Sequence, residues 1–196
     1  TNGGSSWSLV GGGLPSSTPL VSLNGNREMG HNYVVFDYSS GSITINGQTR
    51  TRDVYVGVAG NGLYRSTNGG QNWTKIFSVS SNSFIRDLEV VNGLCYFLPE
   101  KQRIKLYQNG SISDVALTRT DFKEFEVDPN NNRTLYAATG GFSQFWRMTG
   151  TNQATVLLPA NNSNNQNRFN VNKFPWKGDA DVRSFLSVGD LQVDPF

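Results

Sequence analysis

Gly62-Leu63-Tyr64-Arg65-Ser66-Thr67-Asn68-Gly69-Gly70-Gln71-Asn72-Trp73-Thr74-Lys75-Ile76 decides how the rest of the chain is read. Two short strand-like runs, 62–65 and 73–76, flank a cluster of Ser, Thr, Asn and Gly, the chemistry of a tight turn. Upstream lie Tyr33-Val34-Val35-Phe36 and Val54-Tyr55-Val56-Gly57-Val58, so four strands precede residue 77. The pattern recurs about every 40 residues, which is the period of a propeller blade. Its second copy is Asp87–Val91, Leu94–Leu98, Ile104–Tyr107 and Ser113–Leu117; its third is Phe125–Val127, Leu135–Ala137, Phe145–Met148 and Ala154–Leu158. Asn-Gly pairs at 24–25, 46–47, 61–62, 92–93 and 109–110 punctuate these runs. Asn-Gly between strands signals a hairpin, because a type I′ turn needs positive φ at both central residues. No window carries a helical apolar stripe.

Composition agrees with turns repeated blade after blade. Of 196 residues, 16% are charged and 21 are Gly. The net charge of +2 and scattered basic residues exclude nucleic acid and a polybasic membrane patch. No apolar run approaches the roughly 20 residues of a membrane span, so membrane insertion is not expected. A single cysteine, Cys95, excludes an internal disulfide and cysteine zinc sites, and one histidine, His31, excludes a histidine-rich metal centre. Neither a metal nor a cofactor is expected. Cys95 lies in the apolar run Leu94–Leu98 and reads as a small buried hydrophobe.

The stretch 62–76 resembles an Asp-box, or BNR repeat, of the pattern Ser-x-Asp-x-Gly-x-x-Trp, with Asn68 at the usual Asp position. Thr1-Asn2-Gly3-Gly4-Ser5-Ser6-Trp7 repeats it. The residues in its structural positions are Asn2, Gly4 and Trp7, then Ser66, Asn68, Gly70 and Trp73. Asp-boxes lie away from catalytic centres, and occur in sialidases, sortilin-type receptors, photosystem assembly factors and glycoside hydrolases of family 74. The flanks are most similar to the last group: Gly25-Asn26-Arg27-Glu28-Met29-Gly30-His31 resembles a Gly-Arg-Gly-Met-Gly-Glu stretch, and Ser187-Val188-Gly189-Asp190-Leu191-Gln192-Val193-Asp194-Pro195-Phe196 resembles its "SVGDIQIDPF" segment.

The resemblance implies an all-β propeller with four-stranded antiparallel blades. The expected divisions are a blade end at 1–23, blades at about 24–85, 86–122 and 123–185, and the start of the next blade at 186–196. About three complete blades are too few to close a ring, so the remainder of the same protein, or other chains, would complete the propeller. The implied function is part of a secreted glycoside hydrolase acting on β-glucan or xyloglucan, in which this chain forms one wall of a polysaccharide cleft. The family's acid and base lie in Asp-[Ile/Val]-Gly-Gly motifs. The nearest string here, Thr139-Gly140-Gly141-Phe142, lacks the Asp. No catalytic residue is therefore expected in this chain, and alone it is expected to be inactive. The alternative is a non-catalytic extracellular Asp-box propeller that binds carbohydrate or protein, or serves as a surface scaffold.

Arg27, His31 and Trp176 are the expected substrate-binding residues. The first two lie in the stretch that borders the glucan cleft in the resembling enzymes, and Trp176, near Phe174, would stack on a pyranose. Trp146 is a further aromatic candidate. Asp179, Asp181 and Asp190 read as loop or structural carboxylates, and Asp128 and Asp194 as turn residues that bond their own backbone.

Overall fold

The computed structural model describes residues 11–15, 21–23, 26–28, 33–115, 119–139, 145–149 and 153–158. Three Asn-Gly pairs take positive φ at both residues: Asn46 and Gly47 (49° and 76°), Asn92 and Gly93 (50° and 77°), and Asn109 and Gly110 (50° and 80°). These are the type I′ values that match the right-handed twist of the flanking strands. Asn61-Gly62 differs from the expectation. There Gly60 carries the left-handed φ of 67°, and Asn61 N–H donates to the Val58 carbonyl at 3.1 Å. Gly62 already belongs to a strand, where a Cβ would lie 1.9 Å from the Phe77 carbonyl oxygen. Glycine is needed there for close strand approach. Asn24 and Gly25 lie outside the described residues.

The chain forms two compact units, Thr1–Ile85 and Arg86–Phe196. In the first, β1 (Val21–Leu23) pairs antiparallel with β2 (Asn26–Glu28). A four-stranded antiparallel sheet follows in consecutive order: β3 (Tyr33–Ile45), β4 (Gln48–Val58), β5 (Gly62–Ser66) and β6 (Thr74–Ser78). Leu63 and Tyr55 are fully buried on it, and Gly57 faces Ile85 so closely that a Cβ would sit 3.1 Å from the Ile85 Cβ.

β3 runs beyond the expected Phe36 to Ile45, so β3 and β4 continue as a two-stranded arm past a register shift between Asp37 and Ser42. The shift is held by side chains. Asp37 Oδ1 accepts from Ser39 N–H at 3.0 Å, while Ser40 Oγ donates to the Asp37 carbonyl at 2.7 Å and accepts from Asp53 N–H at 3.0 Å. Asp53 is buried and pairs with Arg65 and, at 3.0 Å, with Arg52.

The second sheet is β7 (Ile85–Val91), β8 (Leu94–Pro99), β9 (Lys105–Gln108) and β10 (Ser111–Asp114). The third is β11 (Phe122–Val127), β12 (Thr134–Thr139), β13 (Phe145–Thr149) and β14 (Gln153–Leu158), also a consecutive antiparallel meander. β10 lies at 111–114, whereas 113–117 was expected, because the Asn109-Gly110 turn fixes its pairing with β9 from Ser111 onward.

Leu94, Tyr96, Leu98 and Leu106 of the second sheet, with Ile104 just before β9, share one core with Phe122, Phe125, Val127, Leu135, Ala137 and Met148 of the third. Each fully buried Leu or Phe contributes about 1.5–3 kcal/mol. Tyr96 crosses this interface to donate its hydroxyl to the Asn132 carbonyl at 2.8 Å. All six residues of β8 are buried, Cys95 among them, so its unbroken apolar run reflects cover on both faces. The fold is all-β, no helix occurs among the described residues, and each four-stranded sheet is a meander of the propeller-blade type.

Candidate functional site

Three places merit consideration, and the first is the turn at 66–73. Ser66 Oγ donates to Asn68 Oδ1 at 2.9 Å and accepts from Gly70 N–H at 2.9 Å. Asn68 Oδ1 also accepts from Asn72 N–H at 2.9 Å. Gly69 and Gly70 take φ of 65° and 87°, which a β-carbon disfavours. Gly69 N–H donates to the Arg52 carbonyl at 2.8 Å, and a Cβ there would press on Ile45 and Ile43. The turn is thereby fastened to the arm.

Its other side is fastened to Gly11–Gly13. Trp73 N–H donates to the Gly12 carbonyl at 3.0 Å. A Cβ at Gly11 would fall 2.4 Å from the Gln71 carbonyl oxygen, and one at Gly13 would fall 2.3 Å from that of Trp73. This backbone contact was not anticipated, although three successive glycines were its visible signal. Trp73 is half-buried.

The second place is the exposed face of β3. Val34, Phe36 and Tyr38 are 60%, 42% and 81% exposed, and the rings of Phe36 and Tyr38 stack with centroids 6.1 Å apart. Tyr38 is the most exposed large apolar residue among those described. It follows Asp37, whose carboxylate pins the next turn, so the ring stands on an ordered backbone.

The third is a group of carboxyls between β7 and β11. Asp87 Oδ1 accepts from Leu88 N–H and its Oδ2 from Phe125 N–H, both at 2.8 Å; Glu89 Oε2 accepts from Val127 N–H at 2.8 Å. β11 is an edge strand, so these bonds satisfy amides that no neighbouring strand pairs. Burial pushes Asp87 up to about 7, against the lowering effect of its two amide partners and with help from Glu124 and Glu126. Burial, a hydrogen bond with Glu126 and the nearby acids hold Glu89 well above the usual carboxylate range. Raised carboxyls are a mark of acid–base sites. Here each carboxyl also serves as an acceptor for backbone, a structural duty. Among the described residues, no group of three His, Cys, Asp or Glu could hold a metal ion.

Of the expected binding residues, Arg27 lies on β2 opposite Ser22. His31 and Trp176 lie outside the described residues, as do Asn2, Gly4, Trp7, Phe174, Asp179, Asp181, Asp190 and Asp194. Trp146 packs against the core of the second unit, and the Arg119 guanidinium lies 5.6 Å over its ring, so this face is already occupied. Asp128 accepts from Asn130 N–H at 2.9 Å and closes its own turn. Thr139 is buried at the end of β12.

The fold defined by these sheets is that of glycoside hydrolase family 74 propellers, which the chain resembles. The GH74 enzyme of Niastella koreensis, known from its crystal structure, aligns with a TM-score of 0.56 at 22% identity, covering 80% of this chain and 25% of that one. A GH74 xyloglucanase from Xanthomonas campestris aligns with a TM-score of 0.49 at 22% identity, covering 64% and 21%. No family model and no curated protein matches the chain. The chain therefore spans about a quarter of the length of the Niastella enzyme, and the likeness is one of fold.

Proposed function

We propose that the chain is a portion of a secreted glycan-active propeller, and that it supplies one wall of a cleft for β-glucan or xyloglucan. The observation that carries this reading is the fold likeness to a GH74 enzyme over 80% of the chain. The Tyr38 ring, 81% exposed, supports it, since aromatic faces suit the apolar sides of pyranose rings. In this reading the turn at 66–73 is an Asp-box-type lock that holds the arm, and it does not touch the glycan. Catalysis belongs to carboxylates elsewhere in the complete protein, where an acid and a base would hydrolyse the linkage with a water between them. Arg27, His31 and Trp176 remain proposed contacts.

The remainder of the same protein, or other chains, would supply further blades. Val34 and Phe36 support this through their counterparts. Asp37 and Asp128 each close a turn onto the residue two positions on, which aligns Phe36 with Val127 and Val34 with Phe125. Phe125 and Val127 are buried beneath the second sheet, whereas Val34 and Phe36 are exposed. Their stripe has the character of a surface that another sheet covers.

The test is affinity electrophoresis through gels containing xyloglucan, paired with a reducing-sugar assay. Retardation without released sugar is expected. Mobility unchanged by xyloglucan, mixed-linkage glucan or cellulose derivatives would overturn the reading.

A further inference from the structure

The edge strands β7 and β11 carry one six-residue pattern twice. Ile85-Arg86-Asp87-Leu88-Glu89-Val90 and Phe122-Lys123-Glu124-Phe125-Glu126-Val127 agree in kind at every position: apolar, basic, acidic, apolar, acidic, valine. Burial agrees at the centre, where Leu88 and Phe125 are buried and the acids beside them half-buried. The acids of the first copy reach the amides of the second. Asp87, third in its copy, accepts from Phe125 N–H, fourth in the next, and Glu89, the fifth, accepts from Val127 N–H, the sixth, both at 2.8 Å. Each acid thus caps the amide one place further on in the following copy. Phe125 and Val127 turn their side chains to the core shared with the second sheet. Alternation along a strand puts Glu124 and Glu126 on the opposite face of β11.

The pattern occurs a third time in the sequence. Val127-Asp128-Pro129 recurs as Val193-Asp194-Pro195, which fixes the alignment of Val188-Gly189-Asp190-Leu191-Gln192-Val193. Leu191 takes the fourth place and Val193 the sixth, with Gly189 at the basic place and Gln192 at the second acidic one. This segment lies outside the described residues.

We propose that Glu124 and Glu126 form a docking edge for segment 188–193 of the same chain, with Glu124 accepting from Leu191 N–H and Glu126 from Val193 N–H. The chemistry is the one that joins β7 to β11. A carboxylate offers two oxygens and about four acceptor directions, so one partner does not exhaust it. Asp87 demonstrates this by taking Leu88 N–H and Phe125 N–H together. Edge amides have no neighbouring strand to pair with, and acids placed at alternate positions meet them two at a time. They also select the register. A slip of one residue would present the amides of Asp190 and Gln192 instead, and would turn Leu191 and Val193 away from the third sheet.

Amide NMR of the whole chain tests the pairing. An amide proton bonded to a carboxyl shifts as that carboxyl titrates. The Leu191 and Val193 amide protons should therefore follow the midpoints of the Glu124 and Glu126 carboxyl carbons, as those of Phe125 and Val127 follow Asp87 and Glu89. Glu124→Ala should lower hydrogen-exchange protection at Leu191 by about tenfold or more and leave Val193 within about twofold, and Glu126→Ala should do the reverse. Equal losses at both amides, amide shifts that follow neither carboxyl, or exchange at Leu191 and Val193 as fast as in an unfolded chain would overturn the proposal. Should the variants fail to fold, the wild-type titration decides by itself.

Discussion

Asn68 sits where the resembling repeats carry Asp, and the geometry explains why the amide suffices. Its Oδ1 accepts from Ser66 Oγ and Asn72 N–H, a role that needs an acceptor and no charge. Asn68→Ala should lower the stability of the first unit by about 1–2 kcal/mol, and Asn68→Asp by much less, read from urea unfolding. Gly62 is constrained more severely, because its φ of 144° and the Phe77 carbonyl leave no room for a Cβ. Gly62→Ala should cost about 3 kcal/mol or more in the same measurement, while Gly47→Ala, with open space around its Cβ position, should cost only the strain of its positive φ, about 1 kcal/mol. The turn glycines were legible from their Asn-Gly context. The run Gly11-Gly12-Gly13 was visible but its reason was not, since the need for glycine at Gly11 and Gly13 arises from a backbone about 60 positions away.

At the level of strands and sheets, the alternation of apolar runs with Asn-Gly turns made nearly every strand readable. β8, β9 and β12 fall within a residue or two of expectation. The arm of β3 and β4 was missed because Ser39-Ser40-Gly41 reads locally as a turn. What keeps the strand running is Asp53, paired opposite Asp37 and anchored through Ser40. The carboxyl cluster was missed for the same reason. Asp87-Leu88-Glu89-Val90 and Glu124-Phe125-Glu126-Val127 share a visible alternation, but only the packing of two sheets shows that the acids cap edge amides.

Phenylalanines on the edge strands β3 and β11 should respond unequally. Phe125→Ala removes a fully buried ring and should cost about 3–5 kcal/mol, whereas Phe36→Ala, at 42% exposure, should cost less than about 1 kcal/mol. Chemical denaturation of each variant checks the contrast. Equal losses would show that β3 is covered as β11 is.

On the scale of the whole molecule, the chain is a set of propeller-type sheets whose fold is shared with a far longer GH74 enzyme. Among the described residues, the carboxyls with raised affinity for protons are committed to backbone amides. Fold class was legible because the repeat of about 40 residues is a global signal carried by many weak local ones. The exposed aromatic proposed for binding was less so. The aromatic on ordered backbone with the greatest exposure is Tyr38, and nothing in its sequence neighbourhood distinguishes it from a core aromatic.

The most direct measurement is calorimetric titration of the chain with xyloglucan oligosaccharides, run beside Tyr38→Ala. The account predicts saturable binding without hydrolysis, weakened about tenfold or more in the variant if the ring supplies a central contact. Absence of any binding heat to xyloglucan or β-glucan oligosaccharides would contradict it.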